Sequence, residues 1–560
     1  MPLGLFSTQD RRRAEAIGAL AFCNPFLPER VELERRLLGS TFVAIAPVWS
    51  ADPRLLSDNV NVAAIRRLAE ELATTARRRA MEGARALPEE WGTYDELVLH
   101  VLFYRYEDVV FRELAATPAG ASGGSDRVPY YPAFRDDVQF FFEIPGSPLG
   151  ELGAPHRVFA LLHQFRRAFH FTFRRILGNS LAAAGLRAAV WQSVFTRDLR
   201  RYRRQLFDRM QDVSTLIVGP SGTGKDLVAQ AIGLSRFIPF DDKTMRFAQD
   251  LWSSFRPISA AALPSELVES ELFGHRKGAF TGAIGDREGH LDGCGPWHTV
   301  FLDEIGEVEP SIQVKLLRVL QSRVFQRVGD STPRRFEGKL VAAPNRDLAV
   351  EVAGGHFRED LYYRLCADVV ATPTLADQVA GDPDELHRLV LFATHRIVGQ
   401  DQAGDVADEV TAWIERHLTL AYPWPGNIRE LEQCVRSILV HGDYRPIAAR
   451  RQSASVAVVA TGRGGQPDRH SGTAPSTHAP LPGGGDPLAK TLESSGLSAE
   501  ELVTLYCATV YERTRSYCET GRLLGLDRRT VAARVALDRR RRGSPSARRP
   551  GTRRRGKARG

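Results

Sequence analysis

The sequence predicts a multidomain chain: a mixed α+β N-terminal domain, a phosphate-loop α/β core and an all-α helix-turn-helix at the C-terminus. Three observations carry this. Apolar strand runs alternate with helical segments across residues 171–445. Residues 446–496 are rich in Gly, Pro, Ser, Thr and Ala with little apolar periodicity, which predicts a flexible linker. Residues 497–540 read as helix, tight turn, helix.

At 560 residues the chain exceeds what one hydrophobic core usually organises, so several domains are expected. The formal charge is +8, yet residues 539–560 hold eleven Arg or Lys and no Asp or Glu, so the basic excess sits in one tail. Cys23, Cys294, Cys366, Cys434, Cys507 and Cys518 lie far apart, with no C-x-x-C pair or Cys/His cluster at zinc spacing, which predicts reduced thiols. No apolar stretch approaches the ~18 residues that span a bilayer, and the start of the chain lacks a signal-like apolar region. A soluble, cytoplasmic protein with no membrane contact is the expectation.

Residues 1–170 combine helical patterns, such as 61–83, with strand-like runs at 41–48 and 138–144 and a Gly/Ser-rich break at 119–125. His156, His163 and His170 recur every seven residues on a predicted helix. Seven residues climb ~10 Å, too far to share one ion, so core or surface positions are expected.

In the core, Gly219-Pro220-Ser221-Gly222-Thr223-Gly224-Lys225 follows the apolar strand 215–218 and precedes a helical run. That is the context a G-x-x-x-x-G-K loop needs. Glycines let the backbone wrap phosphates, the N–H groups and helix N-terminus supply positive potential, and Lys225 reaches the outer phosphates. Val300-Phe-Leu-Asp303-Glu304 is an apolar strand ending in two carboxylates. Asp303 is placed to hold Mg²⁺ through water and Glu304 to polarise an attacking water. ATP and Mg²⁺ are the cofactors this pairing predicts.

The run Glu271-Leu-Phe-Gly-His-Arg-Lys-Gly278-Ala279-Phe280-Thr281-Gly282-Ala283 resembles the signature loop of the AAA+ activators of sigma-54 RNA polymerase, the bacterial enhancer-binding proteins. The resemblance covers 171–445. It implies an AAA+ fold with a helical lid from about residue 375, and it assigns contact with the sigma factor to residues 278–283, chiefly Phe280 and Thr281. Independently, Gly278 and Gly282 permit a tight, mobile loop whose aromatic and hydroxyl offer an anchor and a hydrogen bond. The residues alone equally allow a hairpin with Phe280 tucked into the core.

Further segments extend the resemblance. Ile176-Leu-Gly-Asn-Ser180 is similar to the family's entry near the adenine pocket. Phe357-Arg358-Glu-Asp-Leu-Tyr-Tyr-Arg364-Leu365 resembles its arginine-finger segment, so that Arg358 and Arg364 would reach the γ-phosphate of a neighbouring subunit. Fingers supplied in trans imply a closed ring, typically of six subunits. Trp424-Pro-Gly-Asn-Ile-Arg429 is similar to sensor II, which implies that Arg429 feels nucleotide state from the lid.

The chain also departs from the pattern. Asp226 stands where the general loop has Ser or Thr, although family members usually carry an acid there. Ser259 replaces the Asn thought to restrain the catalytic Glu, and Pro344 replaces the sensor I Thr, leaving Asn345 as its substitute. Residues 235–257 look longer than the family's equivalent connection, and 374–378 lack the usual Arg-Glu-Arg run. Nucleotide binding is therefore a firmer expectation than fast hydrolysis.

The 497–540 unit is similar to the Fis-type helix-turn-helix that ends many of these activators. Arg528, Arg529, Thr530 and Arg534 then face the major groove of double-stranded DNA or its flanking phosphates. The 541–560 tail reads as disordered, with sequence-independent phosphate attraction. In this family the N-terminal domain receives the signal; residues 1–170 carry no mark of a phosphorylated receiver. The implied function is ATP-driven activation of sigma-54 RNA polymerase from an enhancer-like DNA site. The alternative is a nucleotide-gated DNA-binding regulator with little turnover.

Overall fold

The computed structural model describes residues 4–44, 59–116, 127–148, 153–261, 264–380, 382, 384–399, 402–418, 422–446, 499–514, 516–517, 520, 524, 526 and 528–542. Two compact units result, Met1–Ala454 and Ser455–Gly560.

The first unit opens with α1 (Thr8–Phe22), α2 (Pro28–Leu38), α3 (Val60–Met81), α4 (Pro88–Arg105), α5 (Glu107–Ala116), α6 (Tyr131–Phe142), α7 (Pro155–Arg175) and α8 (Leu181–Phe195). Local chemistry starts them. Ser7 accepts from the Asp10 N–H and Asn59 from the N–H groups of Asn61 and Val62, while α2, α4, α6 and α7 carry Pro in their first turn.

Every described element of residues 1–170 is helical, which corrects the expected mixed α+β domain. The run 138–144 lies largely in the last turn of α6, where Phe134, Val138, Phe141 and Phe142 are buried on one face. Their spacing of four, three and one is a helical stripe, and a cluster of Phe supplied the false strand signal. Of 41–48, Thr41 ends a short 3₁₀ turn (Gly39–Thr41), and 45–48 lie outside the described residues.

A five-stranded parallel sheet follows: β1 (Thr215–Val218), β4 (Phe255–Ser259), β5 (Thr299–Asp303), β8 (Lys339–Ala343) and β9 (Asp368–Ala371), ordered β4-β5-β8-β1-β9. The register pairs Ser259 with Asp303, Asp303 with Ala343, and Val218 with Ala371. Every strand therefore ends at the same edge, where open α/β sheets hold their ligands. The helices around it are α9 (Lys225–Leu234), α10 (Ser265–Phe273), α11 (Pro310–Ser322), α12 (Leu348–Ala353) and α13 (Glu359–Leu365). A ribbon of β6 (Val324–Phe325) and β7 (Arg334–Arg335) follows α11. The lid comprises α14 (Leu375–Val379), α15 (Glu385–Val398), α16 (Ala403–His417) and α17 (Asn427–His441), packed on Leu389, Val410, Trp424 and Val435.

One sheet face buries Leu216, Val300, Leu302 and Leu340 against Leu272, Leu316 and Leu361 of α10, α11 and α13. The other buries Ile217, Phe301, Val341 and Val370 in the same core as the N-terminal helices. Helix α7 runs straight through position 170, where a domain boundary was anticipated. The long 235–257 connection forms a hairpin of β2 (Phe240–Asp241) and β3 (Arg246–Phe247) that joins this core. Phe240 packs 4.5 Å from Tyr131 and 4.6 Å from Phe159, ring centroid to centroid, and the Val128 N–H donates to the Met245 carbonyl at 2.9 Å. His163 and His170 are buried and His156 is exposed, and no metal-competent cluster of His, Cys, Asp or Glu occurs among the described residues. No described helix is long and apolar enough to cross a membrane.

The second unit contains α18 (Ala499–Thr514) and α19 (Arg528–Arg542), which bury Cys507, Ala508, Val531 and Val535. Of the middle helix anticipated at 517–524 only Tyr517, Thr520 and Leu524 are among the described residues, all three helical, while nearly all of the 446–496 linker and residues 543–560 of the tail lie outside them.

Phe240→Ala removes the ring that joins the hairpin to α6 and α7. It should cost about 3–5 kcal/mol of stability in denaturant titrations, the range for emptying a buried Phe site.

Candidate functional site

The sheet edge assembles the site. After β1 the chain turns through Gly219, Gly222 and Gly224, whose φ values are 143°, 80° and 83°. A Cβ at Gly219 would lie 2.1 Å from Thr372 Oγ1, and one at Gly222 would lie 2.2 Å from the Gly426 carbonyl oxygen. Neither position admits a side chain. The Thr223 hydroxyl donates to the Pro220 carbonyl (2.9 Å) and lies 2.7 Å from the Thr372 hydroxyl. Lys225 opens α9 and folds its ammonium back onto the carbonyls of Gly219 (2.9 Å) and Pro220 (3.2 Å), so the cation lies over the loop. Burial lowers its pKa, opposed by the negative charge of Asp303.

Asp303 ends β5, and its Oδ1 accepts from the Glu304 N–H at 3.0 Å. Burial raises its pKa, with Glu304 and Asp226 adding and Lys225 opposing. Glu304 has φ 57° and ψ 41°, a left-handed conformation that costs a non-glycine residue about 1–3 kcal/mol and is concentrated at functional sites. The Ser259 hydroxyl, at the end of β4, donates to Glu304 Oε2 at 3.1 Å. The shorter hydroxyl thus does hold the carboxylate. The half-buried Asp303 carboxylate, beside two further acids and one lysine, suits a hydrated divalent cation. Since no cluster of three protein ligands exists among the described residues, Mg²⁺ here would rely on phosphate oxygens and water, as it commonly does.

The lid sits on the phosphate loop. Asn427 donates to the Ser221 carbonyl (3.0 Å) and accepts from the Leu375 N–H (2.9 Å), joining the loop to both ends of the lid. Arg429 donates to the Ser221 hydroxyl at 3.3 Å. Farther along, buried Glu385 accepts from the N–H groups of Asn179 (2.7 Å) and Ser180 (3.2 Å), fixing the 176–180 segment to α15. Asn427, Thr372 and Glu385 escaped the sequence reading. Asn427 stands inside a motif that reads locally as a turn and helix start, and Thr372 and Glu385 carry no local signal.

Other predicted residues are elsewhere. Asn345 donates to Glu307 Oε1 at 2.8 Å, beside the Arg346–Glu307 ion pair. Arg358 is exposed and grips Asp360 (2.7 and 3.0 Å), and Arg364 is exposed on α13. Residues 278–283 form a tight hairpin in which the Gly278 N–H donates to the Ala283 carbonyl (2.9 Å) and the Ala283 N–H to the Phe280 carbonyl (3.0 Å). Arg276 anchors its base through Asp286 (2.5 Å) and Asp330 (3.2 Å). Phe280 is half-buried, edge-on to His275 at 5.0 Å, while Thr281 is exposed and Ile284 is 86% exposed. Ala279 is half-buried, and Gly278 and Gly282 have φ of 81° and 105° with open space around them. In the second unit Arg528, Arg529 and Thr530 are exposed at the start of α19, whereas Arg534 donates to the Thr504 hydroxyl at 3.1 Å.

Residues 193–370 match the family described as the Sigma-54 interaction domain. That segment contains the phosphate loop, Asp303, Glu304 and the 278–283 hairpin. The chain is 42% identical over 246 residues to the Nif-specific regulatory protein of Azotobacter vinelandii, covering 43% of each chain. It is 35% identical over 331 residues to the transcriptional regulatory protein ZraR of Escherichia coli O157:H7, 58% of this chain and 63% of that one. NtrX of Brucella abortus in complex with ADP aligns with 69% of this chain and 75% of its own at 22% identity and a TM-score of 0.35. The chain thus spans less than half the length of the first of these relatives. The matches support a sigma-54 interaction domain at 193–370.

Two outcomes follow from the geometry. Because burial raises Asp303 above its unfolded pKa, the ionised form carries a cost in the folded state, and stability contributed by the neutral form is lost as pH rises through the folded pKa. Asp303→Asn should raise the melting temperature at pH 7, with the gain vanishing below about pH 4 where an unfolded aspartate also protonates. Asn427→Ala, by freeing the lid from the loop, should weaken ATP-analogue binding about tenfold in calorimetric titrations.

Proposed function

We propose that the chain is an ATP-driven activator of sigma-54 RNA polymerase. The observation that carries this reading is the glycine-hinged 278–283 hairpin, with Thr281 exposed, within the same α/β layer as the phosphate loop and the Asp303-Glu304 pair. Lys225 and the loop N–H groups hold the β- and γ-phosphates, and Asp226 completes the loop. Asp303 would hold Mg²⁺ through water; the ion neutralises charge that develops in phosphoryl transfer. Glu304 orients the attacking water once its bond to Ser259 opens, and Arg358 and Arg364 enter from a neighbouring subunit of a ring, hexameric in this reading.

The route from chemistry to hairpin is short. Ser259 ends β4, the chain then enters α10, and α10 leads into His275, on which Phe280 rests. Release of Glu304 from Ser259 shifts the β4 end, and α10 passes the shift to the hairpin, lifting Phe280 from His275 toward the sigma factor. In the second unit, Arg528, Arg529 and Thr530 contact DNA while Arg534 braces α19 against α18.

A second reading has its own support. Asn345, the substitute for sensor I, is engaged by Glu307, and Pro344 offers neither a hydroxyl nor an N–H. A nucleotide-gated DNA-binding regulator with little turnover is favoured by that feature.

Transcription in vitro from a sigma-54 promoter, run beside ATPase assays, separates the two. The wild type should hydrolyse ATP and activate transcription, and Thr281→Ala should retain most of the ATPase rate while activation falls at least about tenfold. Equal activation by Thr281→Ala would sink the proposal, and wild-type ATPase near background would favour the gated regulator.

A further inference from the structure

Between the N-terminal helices lies a cavity of about 110 Å³, walled by α1, α2, α3, α4, α7 and α8. Its apolar lining is dominated by the rings of Phe22, Phe103, Phe165, Phe169 and Trp191. An engineered apolar cavity of roughly 150 Å³ admits benzene, so this one is matched to a single ring after small side-chain adjustments. Nothing in the nucleotide chemistry uses it.

The polar groups on its wall decide what kind of ring. Arg30 is paired with buried Glu34 at 2.9 Å and donates to the Tyr104 hydroxyl at 3.3 Å. Arg166 is paired with Glu107 at 2.6 Å, donates to the Phe103 carbonyl at 2.8 Å, and stacks its guanidinium 3.4 Å from the Phe103 ring centroid. The Asn59 side chain is committed to capping α3. Two cations and two anions therefore cancel within the wall, and a charged guest would bring an uncompensated charge into a buried site. His100 is different. It is 6% exposed and lines the cavity, and its buried Nδ1 hydrogen-bonds to no described residue. Burial and the nearby arginines Arg30, Arg166 and Arg66 hold it neutral, with a pKa near 3. A neutral imidazole presents one donor and one acceptor, the complement of a hydroxyl.

We infer that this cavity binds an uncharged molecule of one ring bearing a hydroxyl, with the ring among Phe22, Phe103, Phe165, Phe169 and Trp191 and the hydroxyl on His100. The site stands independently of the proposed transcription role. Its walls also touch the nucleotide machinery. Gln164 and Arg167, on the same turn of α7 as Phe165 and Arg166, donate to the carbonyls of Ser235 (3.0 Å) and Arg236 (2.8 Å) just beyond α9. Trp191 belongs to α8, whose first turn follows the segment held by Glu385 of the lid. A ligand here occupies the place where an effector would act on the phosphate-loop helix.

Calorimetric titration of the full chain with phenol, toluene and benzoate tests the site. Phenol should bind one per chain, with toluene about fivefold weaker or more for want of the hydroxyl and benzoate about tenfold weaker or more for its charge. His100→Phe should erase the preference for phenol over toluene, and His100→Gln, which keeps a donor and an acceptor, should restore part of it. No phenol binding, benzoate binding as tightly as phenol, or an unchanged phenol-to-toluene ratio in His100→Phe would each overturn the inference. The three-ligand series on the wild type decides the matter even if the variants do not fold.

Discussion

The phosphate-loop helix is gripped at both ends, and the rest of the first unit is arranged around that grip. At its start, Gly222 lies directly beneath the Gly426 carbonyl and Asn427 holds the Ser221 carbonyl. At its finish, Arg167 and Gln164 of α7 donate to the carbonyls of Leu234, Ser235 and Arg236. A cation at a helix C-terminus also complements the helix dipole, although burial lowers the pKa of Arg167 to about 10. Phosphates binding at the loop therefore meet a helix already coupled to the lid on one side and to the N-terminal helices on the other.

This arrangement explains why the site carries its own cost. Asp303 is half-buried beside like charges, Glu304 sits in a left-handed backbone conformation, and the Lys225 ammonium rests on carbonyls of its own loop. The first two are unfavourable for the fold, whereas the lysine's contacts are charge-assisted hydrogen bonds that hold its cation over the loop. The remaining stability comes from two apolar faces of one sheet, and one of these faces is shared with helices that precede the loop by more than a hundred residues. The hairpin at Phe240–Asp241 and Arg246–Phe247 extends that shared core.

Much of the nucleotide edge was legible in the sequence because its chemistry is local. Strands 215–218 and 339–343 depend on neighbouring residues for their form and lie at the bounds the sequence suggested, and the strand run before Asp303 is likewise present. The 138–144 run was misread because its several Phe residues favour a strand intrinsically, while the actual period is set by packing of α6 against α4 and α7. Asn345 donates to Glu307, an acid on a separate turn whose approach no sequence spacing reveals. Thr372, Glu385 and Asn427 were missed or undervalued for the same reason: each acts across more than fifty residues of chain. Phe280, for which the residues allowed either an exposed tip or a place in the core, lies between the two, half-buried against His275.

Hydrogen–deuterium exchange with and without an ATP analogue and Mg²⁺ tests the two-ended grip most directly. The account predicts altered protection at the loop, at 424–432 of the lid and at 160–170 of α7 together. Protection confined to the phosphate loop, with both flanking segments unchanged, would contradict it.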